Sequence, residues 1–348
     1  MALYIDTEII ERFSAALSSA RNIVIISHQN PDGDAIGSSL ACRQWLLHNH
    51  PMTATDVSIN ILLPHPPLDE TAYLPDSGTI LDAVNDMTRC QQLLHDADLV
   101  WGVDFNDARR VQPLDNALTG STATKILVDH HHHPDTTLFD TVLSVPDLSS
   151  TCELLYWLFV GMGGKASVND STARCLYHGI NTDTGNFSYA CEDASLYEAT
   201  AALMEHPIGA AEVHNTLYNN YTFTKMRLLA FLLHDRLRIF EKEHFAYFYI
   251  TASDLEALGA TPPDLEGIVN YTLMMKEIQV GVIVKEIEGQ VRLSFRSKHH
   301  FDVNRFAHTY FNGGGHTKAS GATSPYGFDE TIRILEENML KELRNDPS

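Results

Sequence analysis

A parallel α/β sheet joined to a smaller α+β domain is the architecture this sequence predicts, and three observations predict it. Short apolar runs at residues 22–27, 57–63, 97–103 and 124–128 alternate with helical stretches, as in successive βαβ units. Several of these runs pass straight into polar residues, as expected where the carboxyl ends of parallel strands face a ligand. From about Arg236 the pattern changes to strands in closer succession, which marks a second domain.

The elements follow in order. Residues 8–19 carry charges within an amphipathic pattern and read as an opening helix. The run Asn22-Ile-Val-Ile-Ile-Ser27 is nearly all apolar, as in a strand buried on both faces, and 35–48 reads as the helix after it. Residues 149–162 and 171–179 read as helices, and the polar segment 179–193 closes the first half. Residues 194–233 hold several helical signals, interrupted at Pro207 and Gly209, and suit a helical connector. Strands are then expected at 237–240, 245–251, 279–285 and 291–295, with helices at 303–310 and 330–343. The expected boundaries are a first domain at 1–193, a connector at 194–235 and a second domain at 236–348.

At 348 residues the chain exceeds the usual single-domain size, which agrees with two domains. Its net charge of -21 argues against coating long nucleic acid, because neutralising phosphates takes Lys and Arg. A small phosphate ligand stays compatible if part of the acidic excess is gathered to hold cations. The cysteines (Cys42, Cys90, Cys152, Cys175 and Cys191) are odd in number and never form CxxC, so a disulfide framework and a zinc knuckle are both disfavoured. No run of about 18 apolar residues offers a membrane span, so a cytoplasmic protein without membrane association is expected.

Four segments could carry chemistry. In His28-Gln-Asn-Pro-Asp32-Gly-Asp34, a tight turn after the first strand lets one imidazole and two carboxylates converge, a donor set suited to Mn²⁺ or Mg²⁺. The alternative for this loop is a helix cap provided by Asp34. Asp104 follows another buried strand and would point into the same crevice. Lys125-Ile-Leu-Val runs into Asp129 and the four histidines His130, His131, His132 and His133. Gly179-Ile-Asn-Thr-Asp183-Thr-Gly-Asn-Phe187 reads as a Gly-bounded turn with a central carboxylate. Together Asp32, Asp34, Asp104, Asp183 and at least two imidazoles suffice for two divalent cations sharing a carboxylate, and such a pair best serves phosphoester hydrolysis.

The second domain reverses the charge bias. Between residues 291 and 320 there are five basic residues (Arg292, Arg296, Lys298, Arg305 and Lys318) against Asp302 alone. The stretch also contains Gly313-Gly314-Gly315-His316, whose backbone N–H groups could approach a phosphate closely.

With these residues laid out, the chain resembles the DHH/DHHA1 phosphoesterase family over nearly its whole length. His28-x-x-x-Asp32-x-Asp34, Asp104, Asp129-His130-His131 and Asp183 match its four N-terminal motifs in order, while Arg296-Ser-Lys298 and Gly313-Gly-Gly-His316 look like DHHA1 nucleotide-binding motifs. Among subfamilies, the wording Asn-Thr-Asp183-Thr-Gly-Asn-Phe and the two-domain length are similar to the short bifunctional oligoribonucleases that are also 3′-phosphoadenosine-5′-phosphate phosphatases. The resemblance implies a Rossmann-like parallel-sheet DHH domain, a helical connector and a smaller α+β DHHA1 domain.

It implies one cation, Mn²⁺ before Mg²⁺, on His28, Asp32 and Asp104, and a second on Asp34, Asp104, His130 and Asp183. His131 would face the scissile phosphate and Asp129 would orient the neighbouring imidazoles. Arg296, Lys298, Gly314, Gly315 and His316 would grip the substrate, with an active site formed between the domains. The partners implied are short single-stranded RNA and nucleotide bisphosphates, with a homodimer as the candidate assembly. The fourfold histidine run departs from the family pattern and leaves the part of His132 and His133 open. The alternatives are a pyrophosphatase or exopolyphosphatase with a denser basic clamp, and a nucleotide-binding regulator without turnover. A processive single-strand DNA exonuclease would need an additional nucleic-acid module.

Overall fold

In the computed structural model, which describes residues 3–51, 56–315 and 317–345, the chain divides into two units, the first ending at Asn219 and the second beginning at Asn220. The first unit opens with α1 (Thr7–Ser19), β1 (Asn22–Ile26), α2 (Gly33–Asn49) and β2 (Ser58–Leu63). It continues through β3 (Leu81–Asp82), α3 (Ala83–Asp96), β4 (Leu99–Val103), α4 (Asp115–Gly120), β5 (Thr124–Asp129) and β6 (Thr141–Ser144). Helices α5 (Thr151–Gly163), α6 (Asp170–Asp183), α7 (Ala194–Leu203) and α8 (Ala210–Tyr218) complete it. The six strands pair in parallel in the order β3-β2-β1-β4-β5-β6.

Burial explains why the strand sequences are continuous apolar runs. Ile23, Ile25, Trp101, Val103, Ile126 and Val128 face a core shared with α1, α2, α5 and α6, while Val24, Ile26, Val100 and Leu127 face α3 and α4. Successive strands move outward from β1 on both sides, so the order reverses between β1 and β4. There the carboxyl ends of neighbouring strands diverge and leave a crevice.

Two expectations are corrected here. Residues 179–183 are helical rather than a turn, and Asp183 is the last residue of α6. Glycine inside a helix normally weakens it, but Gly179 sits where α6 crosses α2, and the packing benefit overrides propensity. The cap of α2 is Asp32 rather than Asp34, its carboxylate accepting from the N–H groups of Asp34 and Ala35. Within residues 194–235, α7 and α8 precede Asn219 and the next helix follows it.

The second unit comprises α9 (Phe223–Asp235), β7 (Leu237–Phe240), β8 (Phe245–Ile250), α10 (Ala252–Leu258), α11 (Asn270–Leu273), β9 (Val280–Ile287) and β10 (Gln290–Ser297). After these come α12 (Val303–Phe311), β11 (Gly314–Gly315), β12 (Ala319–Ser324) and α13 (Phe328–Asn345). Its sheet runs β11-β12-β10-β9-β8-β7 and is mixed, β8 and β9 being parallel and the other pairs antiparallel. One face packs against α12 and α13 through Val282, Val284, Leu293, Phe295, Phe306 and Leu335. The opposite face is covered only in part. Phe248, Ile250 and Ile283 meet α9 there, whereas the alternate residues of β10 and β12 on that face include Arg292, Ser294, Arg296, Gly321 and Thr323.

Candidate metal centre and phosphate-binding face

Three strand ends and two helix ends bring the acidic and imidazole groups of the first unit together. Just past β1, His28 is 4% exposed, and its Nδ1 donates to the Gln29 carbonyl at 2.8 Å. In the neutral ring that proton leaves Nε2 as the acceptor, the atom a cation would take. Nε2 has no hydrogen-bond partner among the described residues, and it lies 3.4 Å from Asp104 Oδ2 and 3.8 Å from Asp32 Oδ2. Asp32 turns its Oδ1 to the helix cap, so Oδ2 is the oxygen left to face the imidazole.

Asp34 is buried in the first turn of α2 and is held from across the unit. Its two oxygens accept the N–H groups of Thr151 (2.7 Å) and Cys152 (3.0 Å), the first residues of α5, where the helix dipole favours a negative charge. Gly179 makes room for it, because a Cβ there would stand 2.7 Å from Asp34 Oδ1 and would also strike the Cys152 side chain. Asp104 follows β4 in the left-handed region (φ 62°), a conformation costly for a residue with a Cβ. It is fixed there by its N–H on the Val128 carbonyl (3.0 Å) and by the Thr151 hydroxyl donating to Oδ1 (3.0 Å).

At the end of β5, His130 donates from Nδ1 to the Leu148 carbonyl (3.2 Å), so its Nε2 faces Asp183 Oδ2 at 3.4 Å and Asp104 Oδ1 at 3.6 Å. His131 differs. Its Nδ1 is 2.7 Å from Oδ1 of the fully buried Asp129, which assigns a proton to that nitrogen and removes it as a cation donor. His132 and His133 are exposed and belong to none of the potential ligand clusters among the described residues.

Ligand atoms of His28, Asp32 and Asp104 lie within 4.8 Å of one another, as do those of Asp34, His130 and Asp183. A third group, Asp104, His130 and His131, overlaps both. The electrostatics fit a cation. Burial would lower the His28 imidazole, yet Asp104 and Asp32 raise it to about 10. Burial would also lower His130, and Asp104, Asp183 and Asp34 raise it. Burial pushes the carboxyl of Asp34 up, with Asp104 adding to it, and pushes that of Asp183 up, with Asp34 adding to it. Carboxylates crowded enough to draw protons toward themselves, beside an unpartnered buried imidazole nitrogen, are a donor set that divalent cations would satisfy.

Sequence reasoning missed the contribution of the α5 N-terminus. Thr151, Cys152 and the Leu148 carbonyl position Asp34, Asp104 and His130. The signal was present as Ser150-Thr-Cys-Glu153, the pattern of a capped helix start, and Ser150 does accept the Glu153 N–H.

In the second unit, Arg296 and Gly314 belong to residue rows of one face, Arg296 opposite Ala319, and Gly314 opposite Gly321. Arg296 donates to the Phe295 carbonyl, and Lys298 Nζ donates to the Met275 carbonyl at 3.0 Å, just beyond β10. Gly315 pairs with Ser320 and is exposed, like Gly314, while His316 lies outside the described residues.

Residues 22–180 match the DHH family N-terminal domain, and residues 243–344 match the DHHA1 domain. The chain belongs to the DHH/DHHA1 phosphoesterase family. A Bacillus subtilis protein named bifunctional oligoribonuclease and PAP phosphatase NrnA is 28% identical, over 92% of this chain and 95% of its own. A probable bifunctional oligoribonuclease and PAP phosphatase NrnA from Streptococcus mutans is 26% identical, over 94% and 97%. Among solved structures, an exopolyphosphatase-related protein from Bacteroides fragilis superposes with a TM-score of 0.93 at 29% identity, covering 99% of both chains. All of the strand-end cluster but Asp183 thus lies within the DHH match, and the basic glycine-rich face within the DHHA1 match. No helix among the described residues is long and apolar enough to cross a membrane.

Proposed function

We propose that this DHH/DHHA1 phosphoesterase hydrolyses short RNA oligonucleotides to mononucleotides and removes the 3′-phosphate of 3′-phosphoadenosine-5′-phosphate. The observation that carries the reading is the pair of ligand clusters linked by Asp104, whose carboxylate lies 3.4 Å from His28 of one and 3.6 Å from His130 of the other, supported by relatives named for both activities over nearly their full lengths. His28, Asp32 and Asp104 would hold one divalent cation, and Asp34, Asp104, His130 and Asp183 the other, with Mn²⁺ favoured by the imidazole donors. Such cations supply positive charge at the phosphoryl group and acidify water near it.

The remaining residues orient and hold. Asp129 fixes the orientation of the His131 ring through Nδ1, so that His131 would face the phosphoryl group. Thr151 keeps Asp104 in one orientation, and the α5 N–H groups hold Asp34 in place. Arg296, Lys298, Gly314, Gly315 and His316 would bind the rest of the substrate, in the DHHA1 domain. Domain limits of 1–193 and 236–348 about a helical connector, and a cytoplasmic setting, belong to the same reading. The likeness to an exopolyphosphatase-related protein favours a second reading in which the substrate is a polyphosphate.

A Mn²⁺-dependent time course separates them, run on a 5′-labelled RNA trimer, 3′-phosphoadenosine-5′-phosphate, pyrophosphate and polyphosphate. Mononucleotides from the trimer and AMP from the bisphosphate are expected. Faster release of orthophosphate from pyrophosphate or polyphosphate would overturn the assignment.

A further inference from the structure

On the incompletely covered face of the second sheet, six side chains or bare glycines form two adjoining rows. Lys285, Arg292 and Thr323 stand opposite one another on β9, β10 and β12. In the next row Ser294, Gly321 and Gly314 lie side by side on β10, β12 and β11, so the floor there is nearly free of side chains. These residues line a cavity of about 490 Å³, a volume within the range of small-ligand sites, and no acidic residue lines it.

Its charge is unusually poorly neutralised for a chain of net -21. Lys285 Nζ donates to the Ser294 hydroxyl at 3.1 Å, and no described carboxylate forms an ion pair with it. Burial, opposed by Glu266 and reinforced by Arg296 and Arg292, pushes its ammonium below the ordinary lysine range. Arg292 has one carboxylate nearby, Glu288 at 3.7 Å, an exposed contact of the kind that contributes little. A half-buried lysine crowded by two guanidinium groups is relieved by an anion, and bare glycine backbone lets an anion come close.

We infer that Lys285 and Arg292, over the Ser294–Gly321–Gly314 floor, form a second phosphate subsite that takes a phosphodiester of the same oligonucleotide beyond the one held around Arg296. This rests on the reading given under Proposed function. Arg292 and Arg296 are four residues apart on one strand and therefore roughly 14 Å apart at their Cα atoms. Such a span lies beyond one nucleotide, so the subsite would favour chains of three or more residues over a dinucleotide.

The experiment measures kcat/KM on RNA of two, three, four and five residues for the full chain and for Arg292→Gln and Lys285→Met. In the unaltered protein kcat/KM should rise from dimer to tetramer. In each variant the tetramer-to-dimer ratio should fall about tenfold, the loss expected for one charge-assisted contact. The salt dependence of tetramer KM should also flatten, its logarithmic slope dropping by about 0.7 for each charge removed. Arg292 is exposed, so its variant should fold even if Lys285→Met does not. An unchanged ratio and salt slope in Arg292→Gln would overturn the inference. Absence of turnover on RNA of every length in the unaltered protein would instead sink the proposed function, and this subsite with it.

Discussion

Asp104 occupies a backbone conformation that its side chain makes unfavourable, in a cluster of like charges that burial makes more unfavourable still. The protein holds it there with the Val128 carbonyl and the Thr151 hydroxyl. Glycine suits the same φ without a Cβ, so Asp104→Gly should relieve about 1 kcal/mol or more of backbone strain together with the charge crowding. The expected outcome is a metal-free protein whose Tm rises by a few degrees and whose phosphoesterase activity is lost, measured by thermal unfolding in chelator and by turnover with Mn²⁺. A lower Tm would show that the Asp104 carboxylate stabilises the fold. Asp129 and His131 illustrate the complementary case, where a buried carboxylate stabilises one tautomer instead of crowding a neighbour.

The two helix ends that meet at Asp34 set the geometry of the cluster. α2 brings the carboxylate, α5 brings the N–H groups that receive it, and α6 brings Gly179, without which the first two could not approach. At the same crossing a Cβ on Gly37 would stand 2.8 Å from the Cys175 carbonyl, so the close contact extends along the helices. Gly179→Ala should therefore destabilise the fold by about 1–3 kcal/mol by overpacking and displace Asp34. Mn²⁺ affinity by calorimetry should fall at least tenfold, and an affinity equal to that of the unaltered chain would refute the dependence.

This is also the scale at which the sequence was least legible. Strand-end residues such as His28, Asp104 and Asp129 announce themselves because a buried parallel strand is a continuous apolar run that stops where the crevice begins. The end of α6 does not, because Gly179 reads locally as a stop and its justification lies on α2. β12 was equally hidden. Its residues Ala-Ser-Gly-Ala-Thr-Ser have little to bury on the uncovered face and pair with β10 for reasons of the sheet rather than of their own propensity.

At the level of the whole chain, acidity and cation demand are linked through protons. A group whose pKa is raised by folding holds its proton longer in the folded state, so it contributes stability below its ordinary pKa and loses that contribution as pH rises through the folded value. His28 does so between about 6.5 and about 10, and Asp34 and Asp183 do so above the ordinary carboxylate range. All three act in the same direction. In chelator, Tm should fall as pH rises from 6 to 9. With saturating Mn²⁺ the fall should shrink or reverse, because cations compete with those protons and bind more tightly as they leave. Titration in buffers of different ionisation enthalpy should register proton release on loading. A Tm in chelator that climbs steadily over this range would contradict the linkage.

The sheet of the second unit, clad by helices on one face and left partly bare on the other, has a consequence for change over time. Ser294, Gly321, Gly314 and Thr323 are on the bare side, where no hydrophobic core depends on them, whereas Leu293, Phe295 and Val284 between them carry the core. Substitutions in alternate positions of the same strands are therefore felt by different properties. A lineage could rewrite which phosphoester it accepts, residue by residue along β10 and β12, while the fold and the strand-end residues of the first unit remain untouched.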